Sequence, residues 1–196
     1  MSLLRPTLSR IAALLTLLLA TGSYAAETVP AELRPFVPKG YSVLSLDEVD
    51  LNRDGRKETV LVVEADDTAN DEGPRSLLLF SRTPAGKLTL ASRNDKAILC
   101  RRCGGIFGDP YEGMDFQPGG FTLLHYGGSN WRWRLDIRFA WSRRDQTWQL
   151  VEVDTESFHT SDPDNGKSRR YRPPRDFGLI NLADFDYEHW EGRGKR

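Results

Sequence analysis

Eleven residues of strict alternation constrain this chain more than anything else in it. Trp131, Trp133, Leu135, Ile137, Phe139 and Trp141 are apolar, and Arg132, Arg134, Asp136, Arg138 and Ala140 fall between them. A period of two over this length makes a long β-strand with one apolar and one mainly charged face. Its three tryptophans and one phenylalanine read most simply as core, since each aromatic removes about 150–250 Å² from water. An exposed aromatic platform for sugars is the alternative.

The rest of the pattern agrees with a sheet protein. Tyr41–Val49 and Thr59–Ala65 read as strands, Ser76–Ser81 and Lys87–Ser92 as a hairpin, Phe121–Tyr126 and Thr147–Asp154 as further strands. Residues 100–120 hold six glycines and read as loop. Residues 160–175 are polar, with a turn at Asp164-Asn165-Gly166. Phe177–Asp186 reads as a last strand or short helix. No apolar period of 3.6 runs through residues 26–196, so the expected fold is mainly β: one domain, an antiparallel sandwich or partly open barrel.

The first 25 residues read as an export signal. Arg5 and Arg10 precede the apolar run Ile11–Ala20, and Ser23-Tyr24-Ala25 puts small residues at a cleavage site, with Ala26 a neighbouring choice. The run is too short to span a bilayer, which takes about 20 residues. The expected organisation is a signal peptide over 1–25, a lead-in over 26–40 with a short helical turn near Ala31–Leu33, a β domain over 41–190 and a mobile tail over 191–196. The expected location is periplasmic or secreted. Without the signal, 25 basic residues face 28 acidic ones, so net charge gives no pull towards nucleic acid.

Residues 50–58 carry the sharpest chemical pattern. Asp50, Asn52 and Asp54 occupy alternate positions, Gly55 permits a sharp turn, Arg56 offers a backbone carbonyl and Glu58 closes the set. Oxygen donors at this spacing wrap a hard divalent cation, with calcium the natural candidate. The plain alternative is a polar turn with no ion, because Asp, Asn and Gly make good turns unaided. An EF-hand is excluded by Leu61 at the twelfth position and by flanks that read as strands. The stretch VDLNRDGRKETVLVVE resembles the calcium loops of integrin-α-like VCBS/FG-GAP repeats. That resemblance implies Asp50, Asn52, Asp54 and Glu58 as ligands. It covers one blade's worth of chain, and the chain is too short for a full propeller.

Cys100 and Cys103 are the only cysteines. In an oxidising compartment a local disulfide is the simplest reading. A thiol-redox pair with pKa values lowered by Arg101 and Arg102 is a second. A metal site drawing on His125, His159 or His189 is a third. The string CRRCGGIFGDP, followed by HYGGSNWRW at 125–133, resembles a family of small exported bacterial proteins of unknown function, a resemblance that implies no activity.

Beside a thiol-redox protein using Cys100 and Cys103, two function classes follow. One is a non-enzymatic, calcium-stabilised binding or envelope-associated module, with the glycine loops after Cys100 and Tyr126 as its ligand surface. Arg132, Arg134 and Arg138 could then meet an anionic glycan or another envelope component, since guanidinium forks suit carboxylate and phosphate. On the alternative reading they are a solvated face paired with Glu152 or Asp154. The other class is a small periplasmic hydrolase using His125 with Asp109 or Glu112, and Ser129 as a nucleophile.

Overall fold

The computed structural model describes residues 29–66 and 73–194. The export signal and most of the acidic stretch 66–73 lie outside the described residues. Among the described residues nine strands form two antiparallel sheets: β1 (Tyr41–Val49), β2 (Glu58–Ala65), β3 (Arg75–Arg82) and β4 (Leu88–Asn94) in one, β5 (Tyr111–Gln117), β6 (Gly120–Gly128), β7 (Trp131–Ser142), β8 (Thr147–His159) and β9 (Asp162–Tyr171) in the other. Each sheet is a simple meander, β1-β2-β3-β4 and β5-β6-β7-β8-β9. Neither closes into a barrel, so the sandwich is the architecture realised.

One core joins the sheets. Val60, Val62, Leu77 and Leu79 from the first pack with Phe121, Leu123, Ile137, Phe139, Leu150 and Val153 from the second. β2 and β3 are buried along nearly their whole length. They are central strands, and their second face is covered too: Leu61, Val63, Leu78 and Phe80 pack with Leu33, Phe36 and Val37 of the lead-in. Burial on both faces is why these strands read as continuous apolar runs and not as alternation. The lead-in turn itself is a 3-10 turn at Arg34–Phe36, displaced from Ala31–Leu33 because Pro35 suits an early turn position. Its Phe36 ring meets Phe80 edge-on at 4.6 Å between centroids.

Several sequence expectations shift. β7 is the predicted long strand, but its stripe is core only in the second half. Ile137 and Phe139 are fully buried, Trp133 and Trp141 are half-buried, and Trp131 is 63% exposed. Outside the core, the Trp131 ring meets His159 of β8 edge-on at 5.1 Å between centroids. The predicted loop 100–120 contains strand β5, whose hairpin with β6 turns at Pro118-Gly119. Gly113, at φ +111°, allows the register slip that had hidden it. Asp164-Asn165-Gly166 lies within edge strand β9, in the bulge where its register with β8 shifts between Ser157 and His159. Ladder bonds to β8 need no buried side chains, and a polar, charged edge protects a sheet from further pairing.

The C-terminal segment makes a 3-10 turn at Leu182–Asp184 and seals the open end of the core with Phe177, Ile180, Leu182, Phe185 and Trp190. Gly178 donates to the Arg193 carbonyl at 2.8 Å, which ties the chain down as far as that residue. Among the described residues no helix is long and apolar enough to cross a membrane.

Candidate functional site

The loop between β1 and β2 is built from its own oxygens. Asp50 Oδ1 accepts from the amides of Arg53 and Asp54 at 2.8 and 3.2 Å, and its Oδ2 from Gly55 at 3.0 Å. Asn52 Oδ1 accepts from the Asp54 amide at 2.9 Å, and Asp54 Oδ1 from the Arg56 amide at 2.8 Å. Arg53 (φ +62°) and Gly55 (φ +83°) take left-handed backbone to close the coil. Leu51 is buried in the main core and pins the loop from below.

Glu58 completes the donor set from inside. It is 1% exposed, and its Oε2 accepts from the amides of Leu51 and Asn52 at 2.8 and 3.2 Å. Burial pushes its carboxyl above the usual range. The two amide bonds oppose that rise, and the charges of Asp54 and Asp50 add to it. The Asn52 side-chain amide donates to Glu58 Oε1 at 2.9 Å and Asp54 Oδ2 at 3.3 Å, so it lies between the two carboxylates. The Arg56 guanidinium pairs with Asp54 at 2.5 Å. Partial burial of Asp54 works the other way, but the Arg56 amide, Asn52 and the Arg56 charge hold its carboxyl below the ordinary value.

A group able to hold a metal ion sits in the C-terminal segment. Asp186, Glu188 and His189 each offer a ligand atom, all within 4.8 Å of one another. Lys96 Nζ already lies 2.8 Å from Asp186 Oδ2, and His189 Nδ1 3.3 Å from it. The Lys96 hydrogen bond, against some desolvation, draws the Asp186 carboxyl down to about 2. Sequence reasoning missed this group, although its signal, Asp-x-Glu-His, is compact.

Cys100 and Cys103 form a disulfide with Cα atoms 5.2 Å apart. Beyond it, the two glycine motifs meet. Gly128 donates to the Gly104 carbonyl at 2.9 Å, and Ile106 to the Gly128 carbonyl at 3.2 Å. A Cβ on Gly127 would lie 2.9 Å from the Gly104 Cα and 2.5 Å from the Trp133 ring. The paired glycines are therefore there because two backbones touch. Ile106 (72% exposed), Phe107 and Trp131 stand exposed on this part of the surface.

His125 and Asp109 do not form a hydrogen-bonded acid–base pair. Asp109 accepts two bonds from Arg75, at 2.7 and 2.5 Å, and Arg75 also reaches Glu64 at 2.9 Å and the Leu99 carbonyl at 3.0 Å. Arg75 is 2% exposed and joins β2, β3 and the glycine loop through this network. The signal for it was a charge at the head of an apolar run. His125 is fully buried, with Nδ1 3.3 Å from the Leu135 carbonyl. A carbonyl only accepts, so Nδ1 carries the proton, and the bare Nε2 has no partner among the described residues. Burial brings its pKa down to about 4. Glu112 and Ser129 are exposed.

The three arginines of β7 have three fates. Arg132 lies over the Phe107 ring at 4.2 Å, and Arg134 pairs with Asp136 at 2.8 Å on its own strand. Arg138 is exposed and forms no ion pair with any described residue. Glu152 and Asp154, its expected neighbours, are taken by Arg172 and Arg170 at the β9 edge.

Compared with known families, curated proteins and solved structures, the chain matches none.

Proposed function

We propose that this chain is an exported β-sandwich stapled by calcium at residues 50–58, acting as a binding module associated with the cell envelope. The observation that carries the reading is the set of oxygen donors Asp50, Asn52, Asp54 and Glu58 in one short loop. Three carboxylates and an amide are drawn into nine residues, one carboxylate is buried, and its ionisation is opposed by the other two. An all-oxygen donor set of this kind suits a hard cation. The Asn52 amide, lying between Asp54 and Glu58, would present oxygen in place of nitrogen after a half-turn of its terminal bond.

Calcium here would hold β1 and β2 in register and lift the electrostatic cost of keeping Glu58 ionised. The Cys100–Cys103 disulfide suits the oxidising compartment that the N-terminal signal implies. The test is thermal unfolding in EDTA against millimolar calcium, with calorimetric titration of the metal. A higher transition temperature in calcium, lost in Asp54→Asn, is expected. Identical transitions would overturn the reading.

A further inference from the structure

Beside the calcium loop lies an open cleft of about 510 Å³, within the range of roughly 300–1,000 Å³ common for small-ligand sites. Three arginines line it: Arg53 from the loop, Arg138 from β7 and Arg143 from the β7–β8 turn. Among the described residues no acidic side chain does. The contrast with the cleft along β7–β9 is direct. There, Arg134, Arg169 and Arg170 are matched by Asp136, Asp154 and Glu156 in about 400 Å³, and the charges cancel.

The lack of acid partners has structural causes. Arg138 stands opposite Glu152 in the β7–β8 register, but Glu152 accepts from Arg172. In the β7–β8 turn, Asp145 is paired with Arg144 at 3.0 Å, leaving Arg143 outside that pair. Arg53 uses one donor on the Pro118 carbonyl. It lies so close over Gly119 that a Cβ there would come within 3.0 Å of its Nε. A guanidinium carries five donors, so most of the donors in this cleft remain for a ligand. Gly119, Gly120 and Ala140 keep the floor low, and Trp141, tilted against Trp148 at 4.6 Å between centroids, supplies an apolar wall.

We propose that this cleft binds a small oxyanion-bearing ligand, its carboxylate or phosphate held by Arg53, Arg138 and Arg143 and its apolar part against Trp141. Guanidinium forks match planar carboxylate and phosphate edges, and three of them in one cleft give both charge and geometry. The inference rests on the binding-module reading and names the ligand class for it. It does not require the metal.

The experiment titrates the whole chain, free of metal and at low salt, with galacturonic acid trimer and separately with inorganic phosphate, by calorimetry and tryptophan fluorescence. The trimer titration is repeated in calcium. Saturable binding of either probe is expected. Arg143→Glu should weaken it roughly tenfold or more, whereas Lys39→Glu, the same charge change in the exposed turn before β1, should leave it unchanged. Both positions are exposed in turns, so folding is spared. Binding of the trimer alone identifies a carboxylated saccharide; binding of phosphate alone identifies a phosphate group. Equal weakening by the two variants means diffuse surface attraction and overturns the proposal, as does no saturable binding of either probe in any condition. Failure of the calcium reading is seen separately, as an unmoved melting transition with anion binding intact.

Discussion

Arg53 donates a hydrogen bond to the carbonyl oxygen of Pro118, and this contact joins the two sheets outside their apolar core. Arg53 sits in the β1–β2 loop, between Asn52 and Asp54. Pro118 sits in the β5–β6 turn. A loop read as a cation site therefore also positions one wall of a cationic cleft. Calcium in the loop should tighten binding of the galacturonic acid trimer several-fold, by fixing Arg53 and by cancelling nearby carboxylate charge. Titrations with and without calcium that give the same affinity would show that the two sites act independently.

Glu58 should make metal binding depend on pH. Its folded-state carboxyl lies above the ordinary value of 4.5, so the folded, metal-free chain takes up a proton more readily than the unfolded one. Above that raised pKa the ionised group costs stability, and the cost falls as pH drops through it. Protons then compete with calcium, so affinity should fall as the solution is acidified. Glu58→Gln should weaken calcium roughly tenfold or more while costing little stability in EDTA. Calorimetry across pH, paired with urea melts, checks both halves.

His125 should behave as a buried neutral residue. Its pKa falls from 6.5 to about 4, so the unfolded state binds more protons between those values. Stability is then fully present above 6.5 and declines as pH falls towards 4. NMR titration of the imidazole should show no protonation near neutrality, and His125→Gln should flatten the stability curve in that window. An imidazole titrating near 6.5 would count against the structure and revive general-base chemistry.

Arg75→Met should be costly. It leaves Glu64 without its Arg75 hydrogen bonds and removes the anchor of Asp109, and breaking such a buried pair typically costs about 3 kcal/mol or more. Asp109 is the more exposed partner, so Asp109→Asn should cost less. Denaturant unfolding of the two variants gives the order.

The disulfide should be structural. Replacing Cys100 and Cys103 by serine opens a very short loop, for which chain entropy gives about 2 kcal/mol. The double variant should fold, melt lower and keep any anion binding. Disulfide exchange with a dithiol substrate by the wild type, lost in Cys100→Ser, would instead favour redox chemistry.

Residues whose neighbours lie close in sequence were legible without coordinates. Alternation in β7, the apolar runs of β2 and β3, the Cys100–Cys103 pair and the tight loop between β1 and β2 all follow from local geometry. The tertiary structure decided what depends on distant segments. Trp131 lies outside the core against His159 of the neighbouring strand, and β9 became a strand because β8 offers an open edge. Asp109 went to Arg75, 34 residues away, and not to His125. Arg138 joined Arg53 and Arg143, not Arg132 and Arg134, because Arg172 claimed Glu152. Pairing of charges depends on which side chains folding brings within a few ångströms, and sequence spacing carries that information only within a single turn or strand.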